Sequence, residues 1–203
     1  QLKIWYERFF KSTLDLSQLP PQDLPDTLRQ LTMPIAPAGM SEVHIGEGTI
    51  SKANEQAITL AMGKYAQDHN IADSSSLSAL GFENGYYGNT KVTMSCSDPH
   101  VNTQGMPTFD WPLAPFPKLQ YPLAKFEHEN RAEEDRCLDR VKEIIRERRD
   151  VRQDVGAMII EPVTYYQNAY ATPYFFKRLR QEASENGIPF IVDETKTGLG
   201  ITG

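Results

Sequence analysis

Asp193 ends an apolar run, residues 188–192, and is followed by a second acid, Glu194. A carboxylate at the end of a buried strand can pair with a protonated ring nitrogen of a bound cofactor, holding the positive charge that makes the ring an electron sink. It can equally cap the loop that follows. Ser51 and Asn54 stand at the start of an amphipathic stretch. The first N–H groups of a helix lack intrahelical partners, and a hydroxyl beside them adds a donor, which suits a phosphate. The same residue types also serve as plain helix caps. Tyr86 and Tyr87 follow another apolar run, where a ring can stack on a flat cofactor or pack in the core.

These residues become neighbours only if strands deliver them to one edge of a sheet. The pattern along the chain does this. Residues 1–16 read as a short helix broken by Pro20, Pro21 and Pro25, and residues 23–31 as a second helix, ended by Pro34, Pro37 and Gly39. Residues 42–45 read as a short strand and 46–48 as a Gly-containing turn. Residues 51–67 read as a helix with Ala57, Leu60, Ala61 and Tyr65 on one face. A strand over 77–82 ends in the turn Glu83-Asn84-Gly85. Residues 97–123, rich in Pro and aromatics, have no period, and a loop that long is usually functional or packs on a partner. A charged helix spans 127–150. The continuous apolar run 155–160 is that of a strand buried on both faces. A helix over 172–186 is closed by Gly187, and 188–192 is a further buried strand.

Strands alternating with helices predict an α/β domain with a mostly parallel sheet and flanking helices, residues 42–203, preceded by a helical arm, residues 1–41. Ligands bind at the carboxyl ends of such strands, which here carry residues 46–51, 84–89, Glu161 and Asp193.

Composition excludes some classes of function. The chain of 203 residues carries a formal charge of −6, which disfavours a nucleic-acid surface. The basic group Arg146, Arg148, Arg149 and Arg152 is interleaved with Glu143, Glu147 and Asp150, the pattern of a solvated helix face. No apolar run is long enough for a membrane span. Two distant cysteines, Cys96 and Cys137, make no disulfide framework and fit a reducing compartment. No metal-ligand pattern stands out. The first residue, Gln1, suggests a processed or incomplete N-terminus, the mark that a removed targeting segment would also leave.

Several runs together resemble the 4-aminobutyrate aminotransferases, class III enzymes of fold type I that depend on pyridoxal phosphate. They are Leu19-Pro20-Pro21, Ala36-Pro37-Ala38-Gly39-Met40-Ser41 and Ala53-Asn54-Glu55-Gln56-Ala57. Downstream come Phe109-Asp110-Trp111-Pro112-Leu113-Ala114-Pro115-Phe116-Pro117 with Tyr121-Pro122-Leu123, and Glu133-Glu134-Asp135-Arg136-Cys137-Leu138. The last are Ile160-Glu161-Pro162 and Val192-Asp193-Glu194 with Thr197-Gly198 and Thr202-Gly203. The resemblance runs from about Leu19 to Gly203 and implies an incomplete fold-type-I large domain. It implies that Asp193 meets the pyridine nitrogen, Ser51 the phosphate and Tyr86 the ring face, with Asn54 beside them.

Other positions depart from the family. Ile50 replaces the glycine before Ser51, and a β-branched residue hinders close backbone approach to a phosphate. The substrate-carboxylate arginine falls at Asn89, which cannot supply a bidentate charged grip. An active-site glutamate is replaced by Tyr166. The glutamine after the Asp-Glu-hydrophobic triplet is Lys196, preceded by Thr195. The cysteines that hold an iron–sulfur cluster in some members fall at Thr49 and Lys52, which cannot ligate iron in that way. The lysine that anchors pyridoxal phosphate lies beyond Gly203, and Lys196 is a poor substitute for it. The expectation is therefore a degenerate member with vestigial cofactor residues and no catalytic ones, holding no cofactor in isolation. It would act as a structural subunit docked on a homologous chain or other subunits, in the mitochondrial matrix by family resemblance. The alternative is half of a split or truncated 4-aminobutyrate:2-oxoglutarate transaminase.

Overall fold

A computed structural model describes residues 24–36, 38–44, 48–99, 105–198 and 201. The helix expected over residues 1–16 lies outside them. The chain divides into two compact units, Gln1–Ile45 and Gly46–Gly203.

In the first unit, α1 spans Leu24–Thr32 and runs into a 3-10 turn, Met33–Ile35. The strand expected over 42–45 is not formed: Glu42, Val43 and His44 are neither helix nor strand, and Ile45 lies outside the described residues. Two apolar residues in alternation cannot make a strand without a neighbour to pair with. The carbonyl of Val43 instead accepts a bond from Arg29 Nε at 3.3 Å.

The second unit is built on four parallel strands in the order β2-β1-β3-β4. These are β1 (Ser78–Phe82), β2 (Leu113–Ala114), β3 (Val155–Ile160) and β4 (Phe190–Val192). The helices are α2 (Ile50–Asp68), α3 (Lys91–Cys96), α4 (Glu127–Asp150) and α5 (Pro173–Glu185). Alternation along β1 and β3 divides the core between the two faces of the sheet. Leu80, Phe82, Met158 and Ile160 pack with Leu138, Val141 and Ile145 of α4 and with Phe175 and Leu179 of α5. Ala79, Ala157 and Ile159 pack with Ile58 and Ala61 of α2. On the second face β1 carries only Ala79 and Gly81, because the backbone there runs close. A Cβ on Gly81 would stand 1.9 Å from the carbonyl oxygen of Cys96, at the end of α3.

Three details correct the sequence reading. α3 was not anticipated: it is six residues, too few to show a helical period, set by a capping box between Thr90 and Thr93. The long loop over 97–123 contains β2, whose two residues are too few to show a period. β4 is shorter than expected and is not buried on both faces, since Val192 is 42% exposed and, among the described residues, the strand pairs with β3 alone. The C-terminus of α5 is as the glycine implied. Gly187 adopts φ +65°, and the N–H groups of Ile188 and Gly187 return to the carbonyls of Ala183 and Ser184 at 2.8 and 3.1 Å, a Schellman closure. Among the described residues no helix is long and apolar enough to cross a membrane.

Candidate active site

Parallel strands end on the same edge of the sheet, so the loops after β1, β3 and β4 meet the N-terminus of α2 there. Between them lies a cleft of about 230 Å³ lined by Thr49, Ile50, Ser51, Tyr86, Gly88, Glu161, Tyr165, Asp193, Thr195 and Lys196. Three of the four residues singled out from the sequence, Ser51, Tyr86 and Asp193, thus share one cleft, and the fourth, Asn54, is bonded to the third.

Asp193 follows β4 and is 6% exposed. Its Oδ2 accepts from Asn54 Nδ2 at 2.8 Å, and its Oδ1 accepts from the Thr195 N–H at 2.9 Å and from the Thr195 hydroxyl at 2.5 Å. Asn54 projects from the second turn of α2 and uses its other amide hydrogen on the Tyr87 carbonyl at 2.9 Å. A carboxylate offers about four acceptor directions, so three bonds fix its orientation and leave one open. That is the arrangement required of a group that receives a proton-bearing ring nitrogen.

The phosphate end is built differently. Thr49 caps α2, its Oγ1 accepting from the Lys52 N–H at 3.3 Å, and Ser51 Oγ accepts from the Asn89 N–H at 3.1 Å, which leaves the Ser51 hydroxyl hydrogen to donate. Gly88 makes the approach of these two segments possible: at φ +135°, a Cβ there would lie 2.6 Å from both Cα and Oγ of Ser51. Ile50 lies on the cleft and is 52% exposed. Among the described residues no cluster of three or more His, Cys, Asp or Glu could hold a metal ion.

Tyr86 lines the cleft beside Tyr165, with its ring centroid 4.9 Å from that of Tyr165 and 6.2 Å from that of Tyr166. The loop bearing the last two is closed by a bridge between Val163 and Tyr170. Lys196 ties this loop down: Nζ donates to the Tyr165 carbonyl at 3.0 Å, the Thr164 carbonyl at 3.3 Å and Asn168 Oδ1 at 3.2 Å, and lies 4.7 Å from the centre of the Tyr165 ring. An ammonium engaged by three oxygens is poorly placed as a nucleophile.

The sequence marked Glu161 as a strand end and as part of the Ile160-Glu161-Pro162 run, and Gly88 within residues 84–89, but assigned no role to either or to Thr195. Glu161 Oε2 accepts from the N–H groups of Tyr86 at 3.2 Å and Tyr165 at 2.9 Å. Burial pushes its carboxyl up to about 7; the two N–H bonds oppose the shift, the Asp193 charge adds to it and Lys196 opposes it. A glutamate that serves backbone groups leaves no side-chain pattern in the sequence, so its position after an apolar run and its place in the Ile160-Glu161-Pro162 run were the available signals.

The residues at the pyridine end of this cleft fit pyridoxal phosphate, with Asp193 for the ring nitrogen and Tyr86 for the ring face, while Ser51 and the α2 N-terminus suit the phosphate. The chain is 35% identical to a 4-aminobutyrate aminotransferase of Dictyostelium discoideum and 33% identical to the mitochondrial 4-aminobutyrate aminotransferase of Homo sapiens. In each case the match covers 93% of this chain and 41% of the relative. The chain therefore spans less than half the length of these relatives. A lysine aminotransferase from M. tuberculosis superposes with a TM-score of 0.79 at 21% identity, over 98% of this chain and 46% of that one. A PLP-bound amine transaminase from an uncultivated Pseudomonas species superposes at 0.71 and 24%, over 97% and 44%. These two likenesses establish the fold, part of a fold-type-I large domain. The profile of the class-III aminotransferases matches residues 16–203, and the chain belongs to that family.

Proposed function

We propose that the cleft binds pyridoxal phosphate and that the chain forms part of the cofactor domain of a transaminase-type protein. The observation that carries this reading is the Asp193 carboxylate, buried, fixed by Asn54 and Thr195, and left with one acceptor direction in a cleft that Tyr86 also lines. Asp193 would hold the proton on the ring nitrogen, Tyr86 would cover a ring face, and Ser51 with the first N–H groups of α2 would take the phosphate. When bound, the group supplies an electron sink for amino-group chemistry. Titration of the protein with pyridoxal phosphate, followed by absorbance, tests the reading. Saturable binding is expected, weakened about ten- to hundredfold by Asp193→Asn, the worth of a hydrogen bond to a charged group. No binding, or equal binding by the variant, overturns it.

A second reading keeps the fold and drops the reaction: a non-catalytic member whose role is to dock on a protein partner, in mitochondria as the names of several relatives have it. Asn89 and Tyr166 support it, since neither supplies the charge with which the family's arginine and glutamate are implied to act. Its partner would be a homologous chain or another subunit. Borohydride reduction of the mixture with pyridoxal phosphate tests it: the non-catalytic reading expects no covalently labelled lysine, and stoichiometric labelling at one site, Lys196 included, would exclude it.

A further inference from the structure

Glu161 directly follows β3 and is 4% exposed. Its Oε2 serves two N–H groups that belong to loops from different strands, that of Tyr86 after β1 and that of Tyr165 after β3. The rings carried by those two residues lie 4.9 Å apart, tilted 45° to each other, and form one wall of the cleft. Tyr165 is held from its carbonyl side as well, by Lys196. The aromatic wall is thus assembled by backbone bonds, and its two halves share a single carboxylate oxygen.

We propose that Glu161 is a positioning residue whose carboxylate clips the Tyr86 and Tyr165 loops together and makes the aromatic wall of the cleft respond to pH. A charged acceptor makes an N–H···O bond about twice as strong as a neutral one, so the ionised clip holds both loops tightly and the protonated clip holds them weakly. Burial places the change near neutral pH. The groups that face this carboxyl are Asp193 and Lys196 from the end of β4, Tyr86 and Tyr87 from the loop after β1, and Tyr166 from its own loop. The nearby part of α2 contributes the neutral Ser51 and Asn54. Of these, Asp193 favours the protonated form and Lys196 the ionised form. The effect of the clip on cofactor binding rests on the function proposed above; the clip itself does not.

Protein labelled with ¹⁵N-tyrosine reads the clip directly. The amide signals of Tyr86 and Tyr165, assigned by their loss in Tyr86→Phe and Tyr165→Phe samples grown without label at that position, are followed as pH is raised. Both are expected to move downfield together, with one shared midpoint near 7, and to stay flat in Glu161→Gln. Flat signals in the unaltered protein, unequal midpoints, or an undiminished titration in the variant overturns the proposal. If Glu161→Gln fails to fold, the ¹³C carboxyl signals of the unaltered protein decide: one glutamate titrating in step with the two amides supports the clip, and none doing so overturns it. In a parallel titration, the affinity for pyridoxal phosphate is expected to rise about fivefold across the same midpoint, the worth of about one hydrogen bond, and to lose that dependence in Glu161→Gln. Amides that titrate together in a protein that binds no pyridoxal phosphate would remove the proposed function and leave the clip standing.

Discussion

Asn54 uses both hydrogens of its side-chain amide, one on the Tyr87 carbonyl and one on Asp193 Oδ2, and it is 8% exposed. It therefore joins α2 to the loop after β1 and to the end of β4 at one point. Asn54→Ala would leave a buried carbonyl and one carboxylate oxygen without their partner, a cost of about 1–3 kcal/mol. Chemical denaturation should show that loss together with weaker cofactor binding; unchanged stability would mean that the two bonds are not formed. Asn54 and Asp193 are 139 positions apart, and no local pattern couples them. They were legible because family resemblance marks each residue separately, and the structure supplies the bond between them. Glu161 and Gly88 were illegible for a physical reason. One serves backbone N–H groups and the other makes room by lacking a side chain, and neither demand produces a periodicity.

Helix α5 begins at a threonine that does not cap it with its own side chain. The cap comes from α4: Glu134, 1% exposed, accepts from the Thr172 N–H at 2.7 Å and from its hydroxyl at 2.9 Å. One carboxylate thus satisfies an unpaired donor at the N-terminus of α5 and fixes the two helices against each other on the same face of the sheet. Glu134→Ala should cost about 1–3 kcal/mol and lower the melting temperature by several degrees, at about 2–4 °C per kcal/mol for a domain of this size. A melting temperature within one degree of the unaltered protein's would contradict the assignment. At this scale the sequence was most readable where elements are long or wholly apolar. α4 occupies Glu127–Asp150 and β3 Val155–Ile160, as the charged run and the apolar run implied. It failed for α3 and β2, which exist through a capping box and a two-residue pairing. It failed again for residues 42–45, where alternation was present and a neighbouring strand was not.

For the molecule as a whole, the consequence of burying Glu161 is a stability that runs against the usual direction near neutrality. Its carboxyl sits up at about 7 when folded, against roughly 4.3 in an unfolded chain. Between those values the folded protein holds a proton that the unfolded chain has released, so stability is fully present below about pH 4 and falls as pH rises to about 7. The loss is at most about 4 kcal/mol, and less to the degree that water reaches the carboxylate. The two N–H bonds, though stronger to the ionised form, only partly offset the cost of burying the charge, since desolvation is the leading cause of the shift. Other shifted groups act outside this window. Hydrogen bonding from Arg136 holds Glu133 below the ordinary carboxyl range, so its contribution is lost only on further acidification. Burial holds Tyr87 well above the ordinary phenol range, so its contribution is lost only in alkali. Denaturation midpoints measured across the window should therefore decline from mildly acid to neutral pH, and the decline should flatten in Glu161→Gln. A midpoint that rises over the same interval, or a decline that survives the substitution, would show that the proton is held elsewhere and that the Tyr86 and Tyr165 loops are not joined through an ionisable carboxyl.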